Sequence, residues 1–274
     1  MALPSNPVDP SKLGKRIASA LLLFSIASVS IWASGWYTAI FFSILAAIML
    51  WEWFRLTNIK SVSLIIILSV LGGCLPLFAA KITIVTLATI LAVVLIATLI
   101  FACRRFGAMG LVIAVGPSLI ITTMVAVTKL RALPDVGLQT VIWVILVVCA
   151  MDIGGYVVGR TVGGARMASR ISPNKTWSGL FGGICCAVVV SAWFAYSNDG
   201  GSIFMLMALG GILAVIAQGG DLLESAWKRH FNVKDSSSLL PGHGGFLDRF
   251  DGFLTVVPTV ALITFLLGSP ITWR

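Results

Sequence analysis

Charged residues are scarce in this chain. Only 11% of its 274 residues are Asp, Glu, Lys or Arg, and 58% are apolar. Soluble domains contain roughly a quarter charged residues, so this chain cannot cover a water-exposed surface. A transmembrane helix needs about 20 mostly apolar residues. Nine such runs occur, at 17–34, 36–54, 62–80, 82–102, 110–128, 137–158, 177–196, 203–223 and 252–270.

Residue patterns that mark several common sites are also missing. The chain has five cysteines and two histidines, with no CxxC pair and no His/Cys ligand spacing, so the sequence supports neither a zinc site nor a disulfide framework. It has no GxxxxGK[ST] and no GxSxG, which counts against a P-loop NTPase and an α/β-hydrolase. The sequence therefore predicts an all-α, polytopic integral membrane protein with about nine transmembrane helices.

The positive charge is unevenly distributed along the chain. If the spans alternate from a cytoplasmic N-terminus, 15 of the 19 Lys and Arg residues are cytoplasmic, as the positive-inside rule requires. The cytoplasmic set is Lys12, Lys15, Arg16, Arg55, Lys60, Arg104, Arg105, Arg160, Arg166, Arg170, Lys175, Lys228, Arg229, Lys234 and Arg249. The net charge of +9 is thus explained mainly by the orientation of the protein in the membrane, and we expect no nucleic-acid partner. We predict a multi-pass protein of the cell (inner, cytoplasmic) membrane.

Three regions follow from the distribution of polar residues. Residues 1–16 are predicted to form a cytoplasmic tail, 17–135 a transmembrane scaffold with Glu52 as its main charged exception, and 136–274 the catalytic region. The catalytic region contains two polar cytoplasmic loops, 159–176 and 224–251, which place the site at the cytoplasmic face. Lys15 and Arg16 before an apolar run also resemble a signal peptide, but eight further spans favour an uncleaved first helix.

The first polar constellation runs from Asp152 to Gly179. Asp152, Gly155, Tyr156 and Gly159 recur at helical spacing and share one face. A carboxylate inside a membrane is costly and suggests a functional site. We expect 172–176 to open the next helix, with Pro173 in its first turn and a phosphate at its N-terminus. A basic loop that only sets topology is the alternative.

The second and third constellations are rich in acids. Asp221, Glu224, Ser225 and Lys228 recur at helical spacing, which could be an ordinary polar helix end or part of a site. The third, 240–252, contains Asp248 and Asp251, which share a face if it is helical. With Asp221 they could surround Mg²⁺, which takes carboxylate oxygens, phosphates and water. His243 lies between glycines and could be structural or touch substrate.

The segment 225–251 resembles the signature of phosphatidate cytidylyltransferases (CDP-diacylglycerol synthases). The matching positions are Ser225-x-x-Lys228-Arg229-x4-Lys234-Asp235-x-Ser237-x2-Leu240-Pro241-x-His243-Gly244-Gly245-Phe246-x-Asp248-Arg249-Phe250-Asp251. A second block of that family is similar to Asp152-x-x-Gly155-Tyr156-x-x-Gly159-Arg160 followed by Ser172-Pro173-Asn174-Lys175-Thr176-Trp177-x-Gly179. The resemblance covers about the C-terminal half. Ser178 departs from it, since the family commonly has an acidic or amide residue there.

The resemblance implies a metal-assisted transferase that converts CTP and phosphatidate into CDP-diacylglycerol and pyrophosphate for phospholipid biosynthesis. It implies a homodimer and Mg²⁺, with room for a second cation, monovalent or divalent. The metal ligands would be Asp221 and Asp248, with Asp251 as a third. Asp221, Asp248, Lys228 and Arg229 are the expected catalytic residues. The expected substrate-binding residues are Asp152, Ser172, Asn174, Lys175, Lys234, His243 and Arg249.

Two other functions stay open from the sequence. An ion-coupled transporter could use Asp152 and Asp221 as intramembrane cation ligands. Most charges, however, lie in one-sided connections rather than at the bilayer midplane, and no internal repeat is visible. A related enzyme could act on another lipid phosphate or another nucleotide, and the sequence discriminates poorly between these substrates.

Overall fold

The described part of the chain is a bundle of helices with a small hairpin. The computed structural model describes residues 10–57, 59, 61–79, 81–83, 92, 95–96, 98–100, 103–104, 107, 109–198, 201–240 and 244–273. Its helices are α1 (Pro10–Ala33), α2 (Gly35–Leu56), α3 (Val62–Gly73), α4 (Leu75–Ala79), α5 (Met109–Arg131), α6 (Gly137–Thr161), α7 (Trp177–Ser197), α8 (Ile203–His230) and α9 (Asp251–Leu267). Single 3₁₀ turns cover Leu247–Arg249 and Pro270–Thr272.

The helices confirm the membrane-protein class that composition predicts. Six helical segments of the described residues are long and apolar enough to cross a membrane: Gly35–Leu56, Val62–Ala79, Ile113–Arg131, Gly137–Thr161, Trp177–Ser197 and Ile203–His230. The apolar helices Leu21–Ala33 and Asp251–Leu267 are shorter. The expected span at 82–102 falls mainly outside the described residues. The total of nine spans therefore stays a prediction.

The α6–α7 pair packs through glycines. A Cβ atom added at Gly154 would collide with Cys186, one at Gly182 with Val158, and one at Gly183 with Met151. Small residues let helix backbones approach closely, which replaces the hydrophobic driving force that is absent between helices in lipid. This close packing holds the end of α6 beside the start of α7, and the polar residues of the first constellation lie at these two helix ends and in the loop between them.

The predicted scaffold and the predicted catalytic region share one core. Trp53 of α2 is fully buried, donates from Nε1 to the carbonyl of Ile113 at 3.0 Å, and packs edge-on against Trp227 of α8 at 4.7 Å between ring centroids. Thr123 of α5 donates to the carbonyl of Leu254 in α9 at 2.9 Å. The N-terminal helices therefore contact the helices that carry the candidate site.

The segment 172–176 is a strand, and our expectation that it opens a helix is wrong. Strand β1 (Arg166–Ala168) pairs antiparallel with strand β2 (Ser172–Thr176), with Arg166 opposite Thr176. Helix α7 begins only at Trp177, and the Thr176 side chain caps it by accepting from the amide of Gly179 at 3.1 Å. Pro173 lies in the strand, because Thr176 is a good N-cap residue and the pairing with β1 extends the residues before it.

Candidate active site

Lys228 is held between two carboxylates at the end of α8. Its Nζ lies 2.6 Å from Oε2 of Glu224, one turn earlier on the same helix, and 2.8 Å from Oδ1 of Asp248. Glu224 is only 1% exposed. A buried charge needs a partner because desolvation is costly. Lys228 therefore links α8 to the 3₁₀ turn that carries Asp248 and is an ion-pair partner of both acids.

Asp248 is surrounded by hydrogen-bond donors. Besides Lys228, its Oδ2 accepts from the amides of Ser236 at 2.9 Å and Gly245 at 2.8 Å, and from the Ser236 hydroxyl at 3.1 Å. Burial of Asp248 opposes its ionisation, but Lys228 and the amides of Gly245 and Ser236 outweigh burial and hold the pKa of the carboxyl below its ordinary value. Asp248 is therefore ionised at neutral pH, as a site for cations requires.

A second ion pair joins the hairpin to α8. Lys175 of β2 pairs with the carboxylate of Asp221. Farther along α8, Arg229 donates from Nε to the carbonyl of Ile171 at 3.4 Å, just before β2. These contacts place the hairpin against the end of α8 and bring the first and second constellations together. In this structure the ammonium group of Lys175 meets a carboxylate, and its contact with a substrate phosphate remains a prediction.

Three acids from three helices act on one another electrostatically. Asp221 of α8 interacts with Asp152 of α6 and with Asp251, the first residue of α9. Gly220 makes this approach possible, since a Cβ there would collide with Thr255 and with the backbone of Asp251. Asp248 and Asp251 are not on one continuous helix, the condition for their sharing a face, because Asp248 lies in the 3₁₀ turn and α9 begins at Asp251. The acids therefore form two groups, one with Lys175 and one with Lys228.

The remaining predicted site residues lie at the surface of this region or outside the described residues. Ser172 is half-buried in β2, whereas Asn174, Lys234, Arg229 and Arg249 are exposed. The charge of Arg249 acts on Asp152. His243 lies outside the described residues, so its role stays a prediction. Exposed cations around these partly buried ion pairs are suited to bind anions.

The donor chemistry of the site fits a divalent cation. Asp152, Asp221 and Asp251 supply carboxylate oxygens, which Mg²⁺ prefers. Asp221 repels both Asp152 and Asp251, and a bound cation would relieve this repulsion. In the part of the chain that the structure describes, no three His, Cys, Asp or Glu side chains already lie at metal-binding distances. Asp248 faces Lys228 and three other donors, so it could bind a metal only by exchanging one of them.

Comparison with known proteins decides the family. Residues 14–267 match the family model described as the cytidylyltransferase family. The chain belongs to this family. A phosphatidate cytidylyltransferase of Staphylococcus haemolyticus (strain JCSC1435) is 43% identical over 128 residues, which cover 46% of this chain and 49% of that relative. One of Staphylococcus aureus (strain COL) is 41% identical over the same length. The chain thus spans about half the length of the curated relatives it matches.

Ser178, the residue that departs from the family signature, has a local structural role. Its hydroxyl donates to the carbonyl of Gly163 and lies 3.0 Å from Oγ1 of Thr176. These contacts tie the glycine-containing turn after α6 to the first turn of α7. Ser178 therefore connects the two ends of the loop that contains the hairpin, and the neighbouring residues Thr176, Trp177 and Gly179 match the family signature.

Glu52 belongs to the candidate site although the sequence analysis places it in the scaffold. This α2 residue is 0% exposed, and its carboxylate accepts four hydrogen bonds from residues of the signature segment 225–251. The sequence did carry a signal for Glu52, because an acid in an apolar span is costly and suggests a function. Its hydrogen-bond partners could not be predicted, because they are more than 180 residues away in sequence.

Gly245 occupies a position with no room for a side chain. A Cβ there would collide with the Ser236 hydroxyl and with Oε1 of Glu52. We expect Gly245→Ala to lower the free energy of unfolding by about 1–3 kcal/mol, the usual cost of overpacking, measured by thermal unfolding in detergent. Gly219→Ala is the matched stability control, since a Cβ at Gly219 meets nothing within 4 Å. A Gly245→Ala protein that melts at the wild-type temperature would contradict the expectation.

Proposed function

We propose that the protein transfers a cytidylyl group from CTP to phosphatidate and forms CDP-diacylglycerol and pyrophosphate. A phosphate oxygen of phosphatidate attacks the α-phosphorus of CTP. The bond from that phosphorus to the oxygen bridging to the β-phosphate breaks, and pyrophosphate leaves with the bonding electrons. The attacking phosphate is largely ionised at neutral pH, so the reaction needs no general base from the protein.

One observation carries the proposal. Two lysines pair with acids in the C-terminal part of the membrane-length helix α8: Lys175 with Asp221, and Lys228 with Glu224, from which Lys228 bridges to Asp248. At such a helix end a lipid headgroup and a soluble nucleotide can meet. Both substrates are anions, and fixed cations offset their repulsion and stabilise the charge that develops on the leaving pyrophosphate. Family membership and the names of the relatives support the same reaction.

The chain's own residues bind and orient in this proposal. Lys228 and Arg229 face the reacting phosphates, and Lys175, Lys234 and Arg249 supply further positive charge. Asp152, Ser172, Asn174 and His243 contact substrate from the surrounding loops. Positioning and electrostatics do most of the work in phosphoryl-group chemistry, so a rigid arrangement of these groups matters more than any proton transfer.

A bound Mg²⁺ belongs to the proposal as well. Asp221 and Asp251 would hold it, and Asp248 would join them by giving up a present donor. When bound, the metal supplies Lewis-acid stabilisation of phosphate oxygens. A second cation, monovalent or divalent, has acidic oxygens available at Asp152. The electrostatic interaction among Asp152, Asp221 and Asp251 supports a cation at this position.

Topology and assembly complete the proposal. The excess of Lys and Arg on one set of loops supports a multi-pass protein of the cell membrane with a cytoplasmic N-terminus and a cytoplasmic site. The homodimer rests on the family resemblance alone. Cysteine-accessibility labelling from each side of sealed vesicles tests the orientation, and the mass of the detergent-solubilised protein tests the dimer.

Transfer of labelled CMP tests the reaction. Purified protein in detergent micelles is mixed with CTP labelled in the α-phosphate and with phosphatidate, with Mg²⁺ or with EDTA. We expect a lipid-soluble labelled product and released pyrophosphate with Mg²⁺, and neither with EDTA. Parallel reactions with other lipid phosphates and with dCTP determine substrate range. Folded protein that forms no labelled lipid from any of them would contradict the transferase and favour the transporter hypothesis.

A further inference from the structure

Glu52 bonds to both ends of segment 236–247, called the signature loop from here on. Its Oε1 accepts from the Ser237 hydroxyl at 2.5 Å and from the amide of Phe246 at 3.0 Å. Its Oε2 accepts from the Ser236 hydroxyl at 3.2 Å and from the amide of Leu247 at 2.8 Å. Each carboxylate oxygen therefore bonds one residue before the Gly-rich stretch and one residue after it. The two ends are joined through a single side chain more than 180 residues away in sequence.

The burial of this charge calls for an explanation beyond packing. Glu52 is 0% exposed, and the ion pairs among the described residues do not include it. A buried carboxylate without a cation is costly unless hydrogen bonds satisfy it. Its four donors all come from the loop, so the loop and Glu52 require each other. An apolar residue at this position would pack in the core without binding the loop.

The same loop holds Asp248. The Ser236 hydroxyl lies 3.2 Å from Oε2 of Glu52 and 3.1 Å from Oδ2 of Asp248, and the amide of Ser236 donates to Asp248. The amides bonded to Glu52 belong to Phe246 and Leu247, the two residues before Asp248. A shift of Glu52 therefore moves the backbone that carries Asp248 and, through Asp248, the ammonium group of Lys228.

We infer that Glu52 is a positioning residue for the proposed reaction. It clamps both ends of segment 236–247 onto α2, so that Asp248 and Lys228 keep the arrangement that transfer requires. The inference rests on the proposed function. Glu52 itself touches no substrate, since its carboxylate is enclosed by loop donors. Reacting groups must be placed to within about 1 Å, and such a misplacement costs about 100-fold in rate.

Glu52→Gln is the sharpest variant. Whichever way the amide is oriented, its NH₂ replaces the oxygen that accepts from Phe246 or from Leu247, and a backbone N–H cannot reverse its direction as a hydroxyl can. The end of the loop after the Gly-rich stretch therefore loses one of its two amide bonds to residue 52, while the shape of the side chain is unchanged. Ser43→Ala is the matched control on α2, because Ser43 is buried and its hydroxyl has no hydrogen-bond partner among the described residues.

Two readouts separate positioning from simple stability. Without substrates, we expect hydrogen exchange at the amides of Phe246 and Leu247 to accelerate about 10-fold in Glu52→Gln. With substrates, we expect kcat to fall about 10-fold to 100-fold, while KM for CTP changes less than about threefold. Ser43→Ala should match wild type in both. Exchange rates equal to wild type, or a kcat that falls only with the folded fraction, would overturn the inference.

Misfolding of Glu52→Gln and inactivity of the wild-type protein each have a defined consequence for the inference. If Glu52→Gln does not fold, Glu52→Asp takes its place, since it keeps the charge but is one methylene too short to reach both ends. The same two changes are then expected at smaller size, and their absence overturns the inference. If wild-type protein transfers no CMP, the proposed function fails and the positioning role fails with it, whereas the exchange rates still report whether Glu52 holds the loop.

Discussion

Replacement of Lys228 by Met is expected to abolish CMP transfer and to destabilise the protein by about 3–5 kcal/mol, the usual effect of breaking a buried ion pair. Lys228 is the cation bonded to both Glu224 and Asp248, at 2.6 and 2.8 Å. Without it, the carboxyl group of Glu224, which is 1% exposed, loses its ion-pair partner. Thermal unfolding in detergent and the CMP-transfer assay measure the two losses.

A double variant separates the two effects of Lys228. Lys228→Met with Glu224→Gln replaces both members of the buried pair by uncharged side chains, so much of the lost stability should return. Activity should not return, because the positive charge beside Asp248 is still missing. Lys81→Met is the control for the substitution itself, since Lys81 is exposed over Trp36 at the opposite end of α2 from Glu52. A double variant that recovers transfer would contradict a direct role for Lys228.

Replacement of Asp248 by Asn is expected to lower turnover on the order of 10²–10³-fold, the range seen when one preorganised electrostatic contact is lost. The amide keeps the size of the side chain but removes the charge that pairs with Lys228 and that a cation would require. The low pKa of Asp248 means that this charge is present at neutral pH. Turnover per folded protein, from the CMP-transfer assay, is the measurement.

Asp135→Asn is the matched control for this charge removal. Asp135 is exposed before the start of α6, at the opposite end of that helix from the hairpin, and its φ of 60° suits Asn as well as Asp. We expect wild-type activity from it. Wild-type activity in Asp248→Asn as well would contradict the assignment of Asp248 to the site.

The sequence predicted which segments carry the candidate site but not how the acids of those segments are paired. The spacing of Asp221, Glu224, Ser225 and Lys228 correctly indicated a helix, because helical periodicity is local and each i,i+4 pair follows from it. The i,i+4 contact of Lys228 with Glu224 is one such pair. The pairing of Lys228 with Asp248 and of Lys175 with Asp221 joins separate segments, and no periodicity along one element encodes it.

The strand at 172–176 shows the limit of local signals. Pro173 suits the first turn of a helix as well as an extended segment, and the residues alone do not choose between them. The choice depends on β1, whose Arg166 lies opposite Thr176, and on Thr176 acting as the cap of α7. Pairing with a neighbouring strand therefore moved the helix start past the segment.

By itself, the sequence determined the membrane class and the helical architecture and predicted the segments that carry the candidate site, since these follow from composition, apolar run length and motif spacing. Only the tertiary structure decided that Glu52 belongs to the site and that the acids divide between Lys175 and Lys228. A buried carboxylate is stabilised by whichever donors surround it in three dimensions. For Glu52 those donors are amides and hydroxyls from the far end of the chain, brought to α2 by folding.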